Sequence, residues 1–283
     1  MNSVSQRLDE IDRRMARTEL ARMATEFTGL LRPSIRLNLG TPSSESVTRL
    51  GGTPNMPTNV PWPARRDGQP HSFLAEIDLA QLPPLDGLPL PNDGSLFFFC
   101  DSVYIPSGSD PGDNDGFKVI YSPSPLCDNA LRTPPRELDG EYIFKGFSLE
   151  PRLDLTAPSQ NAREIERLRL SESELDAYGQ LFAVEGSAHR IGGYPDAVQN
   201  DDFGLTAELV SHGVNCGSSR AYREGKSRGL GAGADDWRLL LQLDSEDDAG
   251  MIWGDAGRLY FVAREQDLKA FSFDRVWMGM QCG

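Results

Sequence analysis

The stretch "TRLGGTPNMP" (residues 48–57) returns in altered form as "HRIGGYPDAV" (residues 189–198). Each carries an arginine, a branched apolar residue, two glycines, one variable residue and a proline. A glycine pair can belong to a phosphate loop. Such a loop sits between a strand and a helix N-terminus, whose converging N–H groups hold the anion. Neither pair is followed by a helical pattern, and no GK[ST] or GxGxxG occurs in that context. "GLGAG" (residues 229–233) alternates glycines, but two acids and a strand-like segment follow it. The expected role of Gly51, Gly52, Pro54 and of Gly192, Gly193, Pro195 is therefore structural: positive φ at one glycine, close packing at the other, and a proline fixing the exit.

The similarity extends beyond the glycines. "FLAEIDL" and "GSLFFFCD" follow the first pair, and "LLLQLDS" and "GRLYFVAR" follow the second. Glu76-Ile77-Asp78 matches Gln242-Leu243-Asp244, and Gly94, Leu96 and Phe98 match Gly257, Leu259 and Phe261. Matched features in one order imply an internal duplication. The expectation is an α+β fold with irregular, mainly antiparallel sheets in two duplicated β-rich halves. Residues 1–33 are expected to form an N-terminal helix, and residues 34–283 one domain of two repeats, about 34–150 and 151–283.

Between these markers the pattern is coarser. Leu8, Ile11 and Met15, then after a skip Leu20, Met23, Phe27 and Leu30, have helical spacing, and Pro33 should end it. "SIRLNLG" (34–40) alternates like an edge or half-buried strand. "PSGSDPGDNDGFK" (106–118) reads as an exposed polar loop, and "SRGLGAGADD" (227–236) as a flexible connection. "FKVIYS" and "EYIFKGFSLEPRL" read as strands. Ser171 and Glu174 have the spacing of a capping box for a helix running to about Ala183. A short helical turn and a last strand fit "DLKAFSFDRVWMGMQCG".

The chain of 283 residues carries a net charge of −14. That balance argues against nucleic acid, whose binding rests on Lys and Arg displacing counterions; it favours solubility and would steer association with a basic partner, with solubility alone as the plain alternative. No apolar run is long enough to cross a bilayer and the N-terminal residues have no signal-peptide pattern, so the expected location is the cytoplasm, away from membrane. Cys100, Cys127, Cys216 and Cys282 lack CxxC spacing and read as free thiols.

"LGGTPNMPTNVPWP" with "FLAEIDL" and "GSLFFF" resembles the first half of the YwqG-like family of bacterial proteins. "HRIGGYPDAVQND", "WRLLLQLDSEDDAGMIWGDAGRLYFV" and "FDRVWMGMQC" resemble its second half. The resemblance runs from about Leu50 to Cys282. It implies an α+β fold with extensive, irregular antiparallel sheet. The family is a domain of unknown function, so it carries over no catalytic residues. It also implies an association with bacterial toxin–immunity gene neighbourhoods.

No catalytic or metal constellation emerges from the residues. A His212–Cys216 couple is conceivable as base and thiol, but a small buried thiol beside an unrelated histidine is the plainer reading. No HxxxH or HExxH is present. "DPGDNDG" places Asp113, Asp115 and Gly116 at the third, fifth and sixth places of a calcium loop, but the first is Pro111 and no twelfth-place glutamate follows. No cofactor or metal is expected. The acids Asp244, Glu246, Asp247, Asp248 and Asp255, with Asp113, Asp115 and Trp253, are candidates for an electronegative partner-binding face. Trp62 and Trp237 are further candidate anchors, against core packing as the plain alternative for each tryptophan. The leading expectation is a non-enzymatic immunity protein that neutralises a cognate toxin, such as a nuclease effector. The alternatives are an enzyme or a small-ligand or metal-binding protein with a site between the halves, and a housekeeping adaptor.

Overall fold

The computed structural model describes residues 4–42, 47–123, 129–184, 186–200 and 202–283. The strands in chain order are β1 Arg32–Pro42, β2 Arg49–Leu50, β3 Asn55–Pro57, β4 Ser72–Asp78, β5 Ser95–Cys100, β6 Phe117–Ser122, β7 Asn129–Leu131, β8 Phe147–Thr156, β9 Arg190–Gly192, β10 Trp237–Asp244, β11 Arg258–Arg264 and β12 Trp277–Gln281. Ten form one antiparallel sheet in the order β12-β11-β10-β9-β1-β8-β2-β4-β5-β6, and β3 and β7 form a small second sheet.

The duplication is written into that order. β2, β4, β5 and β6 on one side correspond to β9, β10, β11 and β12 on the other, with β1 and β8 paired at the centre. Each central strand crosses over: β1 borders β9 of the second half, and β8 borders β2 of the first. β8 straddles residue 150, where the sequence suggested the division. The first half also has a register shift between Phe73 and Ala75, and the second has one between Leu239 and Leu241. These are matched positions. The shift lets two consecutive residues serve the same face, so Leu74 and Ala75 both enter the main core while Phe73 faces outward, as Leu240, Leu241 and Leu239 do in the second half.

The sheet curls until its ends nearly meet. Phe98 of β5 and Phe261 of β11, matched residues, touch edge to face at 5.1 Å inside it. At the open seam Phe117 stacks edge-on against Trp277, and Lys118 pairs with Asp274 at 2.8 Å. The segment before β6 completes the seam: Met280 N–H donates to Ser107 O at 3.2 Å, and the Trp277 indole N–H to Gly108 O at 2.8 Å. The polar stretch 106–118 is thus a closing strap rather than a loose loop. Its turn Pro111–Asp115 is 3-10 helical, held by a capping box between Asp110 and Asp113.

The helices are α1 Val4–Met15, α2 Ala24–Leu30, α3 Arg163–Leu168, α4 Glu172–Phe182, α5 Phe203–Ser211, α6 Ser219–Ser227 and α7 Glu265–Lys269. The N-terminal run breaks after Met15, where the apolar spacing skips, and ends ahead of Pro33. Ile11, Met15, Leu20, Phe27, Tyr178 and Leu181 make a second core against Leu155 of β8. This layer covers the centre of the sheet. β1 is accordingly a central strand paired on both sides, not an edge, and its inward Ile35 and Leu37 are fully buried. The Ser171–Glu174 capping box starts α4 as its spacing indicates. Residues 141–145 are not strand, and α3, α5 and α6 had no clear sequence signature.

Both glycines of each pair take positive φ, at +60° and +76° for Gly51 and Gly52 and at +68° and +71° for Gly192 and Gly193. The expectation of one such glycine per pair is thereby corrected. Close packing adds to the requirement, since a Cβ on Gly193 would lie 2.3 Å from Thr156 Oγ1. The turn aims the chain at the neighbouring strand. Asn55 N–H donates to Glu76 Oε2 at 3.0 Å, and its counterpart Asp196 N–H donates to Gln242 Oε1 at 2.8 Å. A second bond is also repeated: Asp78 N–H donates to Thr48 Oγ1 at 3.1 Å, and Asp244 N–H to His189 Nδ1 at 3.0 Å.

Candidate functional site: the acidic turn after β10

β10 leads into a turn fixed mostly by its own backbone. Glu246 and Met251 exchange N–H···O bonds at 2.6 and 3.0 Å, and Ser245 Oγ donates to Gly257 O at 2.9 Å while accepting Trp253 N–H at 3.0 Å. Ala249, Met251 and Trp253 point into the core, where Trp253 meets Phe144 edge to face. Its indole N–H donates to Asp244 O at 3.1 Å. Ile252, between two buried neighbours, is 57% exposed. Asp247, Asp248 and Asp255 are exposed on the same turn. Among the described residues, none of the three has an ion pair.

The structure separates the sequence candidates. Asp244 is buried, accepting Ala188 N–H at 2.8 Å and Arg258 Nε–H at 3.0 Å, and Trp253 is 1% exposed. Both build the turn from within and present nothing to a partner, which corrects their assignment to an exposed face. Glu246 is half-buried and accepts the Ser187 hydroxyl at 2.5 Å. It also lies 3.7 Å from Nε2 of the fully buried His189. Because His189 Nδ1 accepts from Asp244 N–H, the neutral ring carries its proton on Nε2, facing Glu246. Asp113 and Asp115 lie elsewhere, on the strap. Asp113 accepts Gly108 N–H at 2.7 Å and Asp110 N–H at 3.2 Å, and Asp115 accepts Arg66 N–H at 3.1 Å, so they organise that loop.

The other constellations dissolve. His212 Nε2 contacts Glu208 Oε1 at 3.1 Å, while Cys216 Sγ donates to Val214 O at 3.7 Å. Burial pushes the Cys216 thiol up, away from the thiolate a nucleophile requires. Cys100, Cys216 and Cys282 are free thiols, and Cys127 lies outside the described residues. Among the described residues no three His, Cys, Asp or Glu side chains gather to hold a metal ion. Trp62 donates to His71 O and packs on Phe99, and Trp237 donates to Glu208, so both are packing residues.

Sequence reasoning missed two features. Ile252 gave no signal, because only the turn's geometry turns it outward. Near the second glycine pair, Asp86, Gly87 and Leu88 from the first half meet Gly192, Gly193 and Arg238 around a cavity of about 310 Å³. A larger open cleft of about 820 Å³ adjoins it through Arg32, Gly193 and Arg238. No described helix is long and apolar enough to cross a membrane.

None of the curated proteins matches the chain. One protein family does, over residues 48–282, a span that takes in both glycine turns, the acidic turn and nine of the ten strands of the main sheet. The chain thus belongs to the family described as "Domain of unknown function (DUF1963)".

Proposed function

We propose that this protein is a non-enzymatic binding protein of the cytoplasm, a YwqG-like immunity protein that neutralises a cognate basic toxin, in particular a nuclease effector. One observation carries the reading. Among the described residues, the turn after β10 holds three exposed carboxylates without ion pairs around a projecting isoleucine, on a backbone tied by its own hydrogen bonds. A nuclease must expose positive charge to hold its substrate. Carboxylates steer fast association with such a surface, a pre-formed turn loses little entropy on docking, and an apolar side chain gives the contact a dry centre. The net charge of −14 adds to the steering. The expected result is that the product of the adjacent gene co-purifies with this chain and kills cells that lack it. If that product is harmless in such cells, the proposal fails.

A second reading is a small-ligand protein with its site between the halves. The cavity that joins Asp86–Leu88 to the Gly192–Gly193 turn favours it.

A further inference from the structure

The two halves use the same arginine differently. In the first, Arg49 is 1% exposed and lies across the strand pair from Glu76, whose carboxylate it contacts directly. In the second, Arg190 takes the place of Arg49 and is 8% exposed, but its cross-strand partner is Gln242. The amide keeps the bond from the glycine turn and donates to Ala188 O at 2.6 Å, so it is spent. It brings no negative charge.

Arg190 therefore lacks the partner that the fold supplies to its twin. Among the described residues the one hydrogen bond of its guanidinium is a long one, from Nη1 to Tyr194 O at 3.4 Å, and it makes no ion pair. The nearest acids are engaged elsewhere: Asp196 holds Arg258 at 2.9 Å and Asp154 holds Arg7 at 2.7 Å. The direct cross-strand neighbour of Arg190 is itself an arginine, Arg36 of β1, and Arg152 of β8, next in the row, is paired with Glu150 at 3.3 Å. Like charges opposite one another in a sheet repel. A buried charge without a partner is costly, and a duplicated fold that holds a solution in one half has abandoned it in the other.

What Arg190 faces is a cavity. Between the sheet and the helical layer lies a space of about 310 Å³, bordered by Arg190, Arg36, Tyr178, Asn161 and Asp196. That is the lower end of the size range of small-molecule sites, and a guanidinium binds oxyanions through two parallel N–H···O bonds. We propose that this cavity is a binding site for a small molecule with an oxyanion group, a phosphate or a carboxylate, which takes at Arg190 the place that Glu76 takes at Arg49. The site is distinct from the acidic turn and stands whether or not the protein neutralises a toxin.

The test is isothermal titration of the full chain with inorganic phosphate and, separately, with succinate. At least one binds in a saturable manner, and which one does tells the phosphate class from the carboxylate class. Arg190→Gln weakens that binding by about tenfold or more, the usual weight of a charged hydrogen-bonded contact. Gln242→Glu, which restores the first half's pairing, abolishes it by supplying an internal carboxylate. Circular dichroism establishes that each variant is folded. Wild-type protein that binds neither anion overturns the proposal. So does either folded variant that binds as the wild type does.

Discussion

Replacing Glu76 with alanine destabilises the protein by about 3–5 kcal/mol, as expected when one partner of a buried ion pair is removed. Glu76 and Arg49 are each 1% exposed, and Arg49 donates from Nε at 3.1 Å as well as from Nη2. Burial raises the Glu76 carboxyl against the pull of Arg49, so desolvation weighs heavily on this pair. Its importance lies less in net attraction than in what is left behind: without the carboxylate, the Arg49 guanidinium stays buried and the part-buried Asn55 N–H loses this acceptor. The matched change Gln242→Ala strands neutral groups only, Ala188 O and Asp196 N–H, and is expected to cost about 1–3 kcal/mol. Urea titration measures both, as a shift in midpoint at constant slope. Equal costs for the two variants would contradict the asymmetry between the halves.

Phe261→Ala and Phe98→Ala each remove about 3–5 kcal/mol, the range for deleting a buried aromatic ring. The two rings come from strands separated by six others along the sheet, and they meet at 5.1 Å only because the sheet curls. The double variant should therefore lose less than the two single losses combined, by about 0.5–1.5 kcal/mol, the coupling of an aromatic pair. Strict additivity would mean that the ends of the sheet do not come together in solution.

Much of this architecture is legible in the chain because the duplication repeats its own evidence. Glu76-Ile77-Asp78 and Gln242-Leu243-Asp244 mark the same strand twice, and the matched register shifts follow from matched apolar runs. The central place of β1 is not legible. A half-buried alternating strand looks the same at an edge as under a helical layer, and only the crossover with β8 puts β1 in the middle. The two halves also differ where they are covered on the outside. Trp62 and Val60 from a short loop cover Phe73, Phe97 and Phe99, whereas α5 covers Leu239, Tyr260 and Val262. The longer insertion that supplies α5 and α6 has no counterpart in the first half, so the repeat could not announce it.

The candidate site is partly legible for a related reason. The acids after β10 are visible as composition, but composition does not say which way a side chain points. Asp244 turns inward because its strand position places it beside Arg258 and Ala188, whereas Asp247 and Asp248 lie on the turn itself. The arginine pair is the converse case. The Glu76-to-Gln242 difference stands in plain view in the sequence, yet it acquires meaning only once Arg49 and Arg190 are seen to lie opposite those two positions.

The proposed contact surface for a basic partner is the turn after β10. The direct measurement is the association rate of the adjacent gene's product with wild-type protein and with the triple variant Asp247→Lys, Asp248→Lys, Asp255→Lys, at low and high salt. Reversing three exposed charges should slow association at low salt by about 10-fold or more and flatten its salt dependence. An association rate unchanged by the triple variant at both salt concentrations would contradict it.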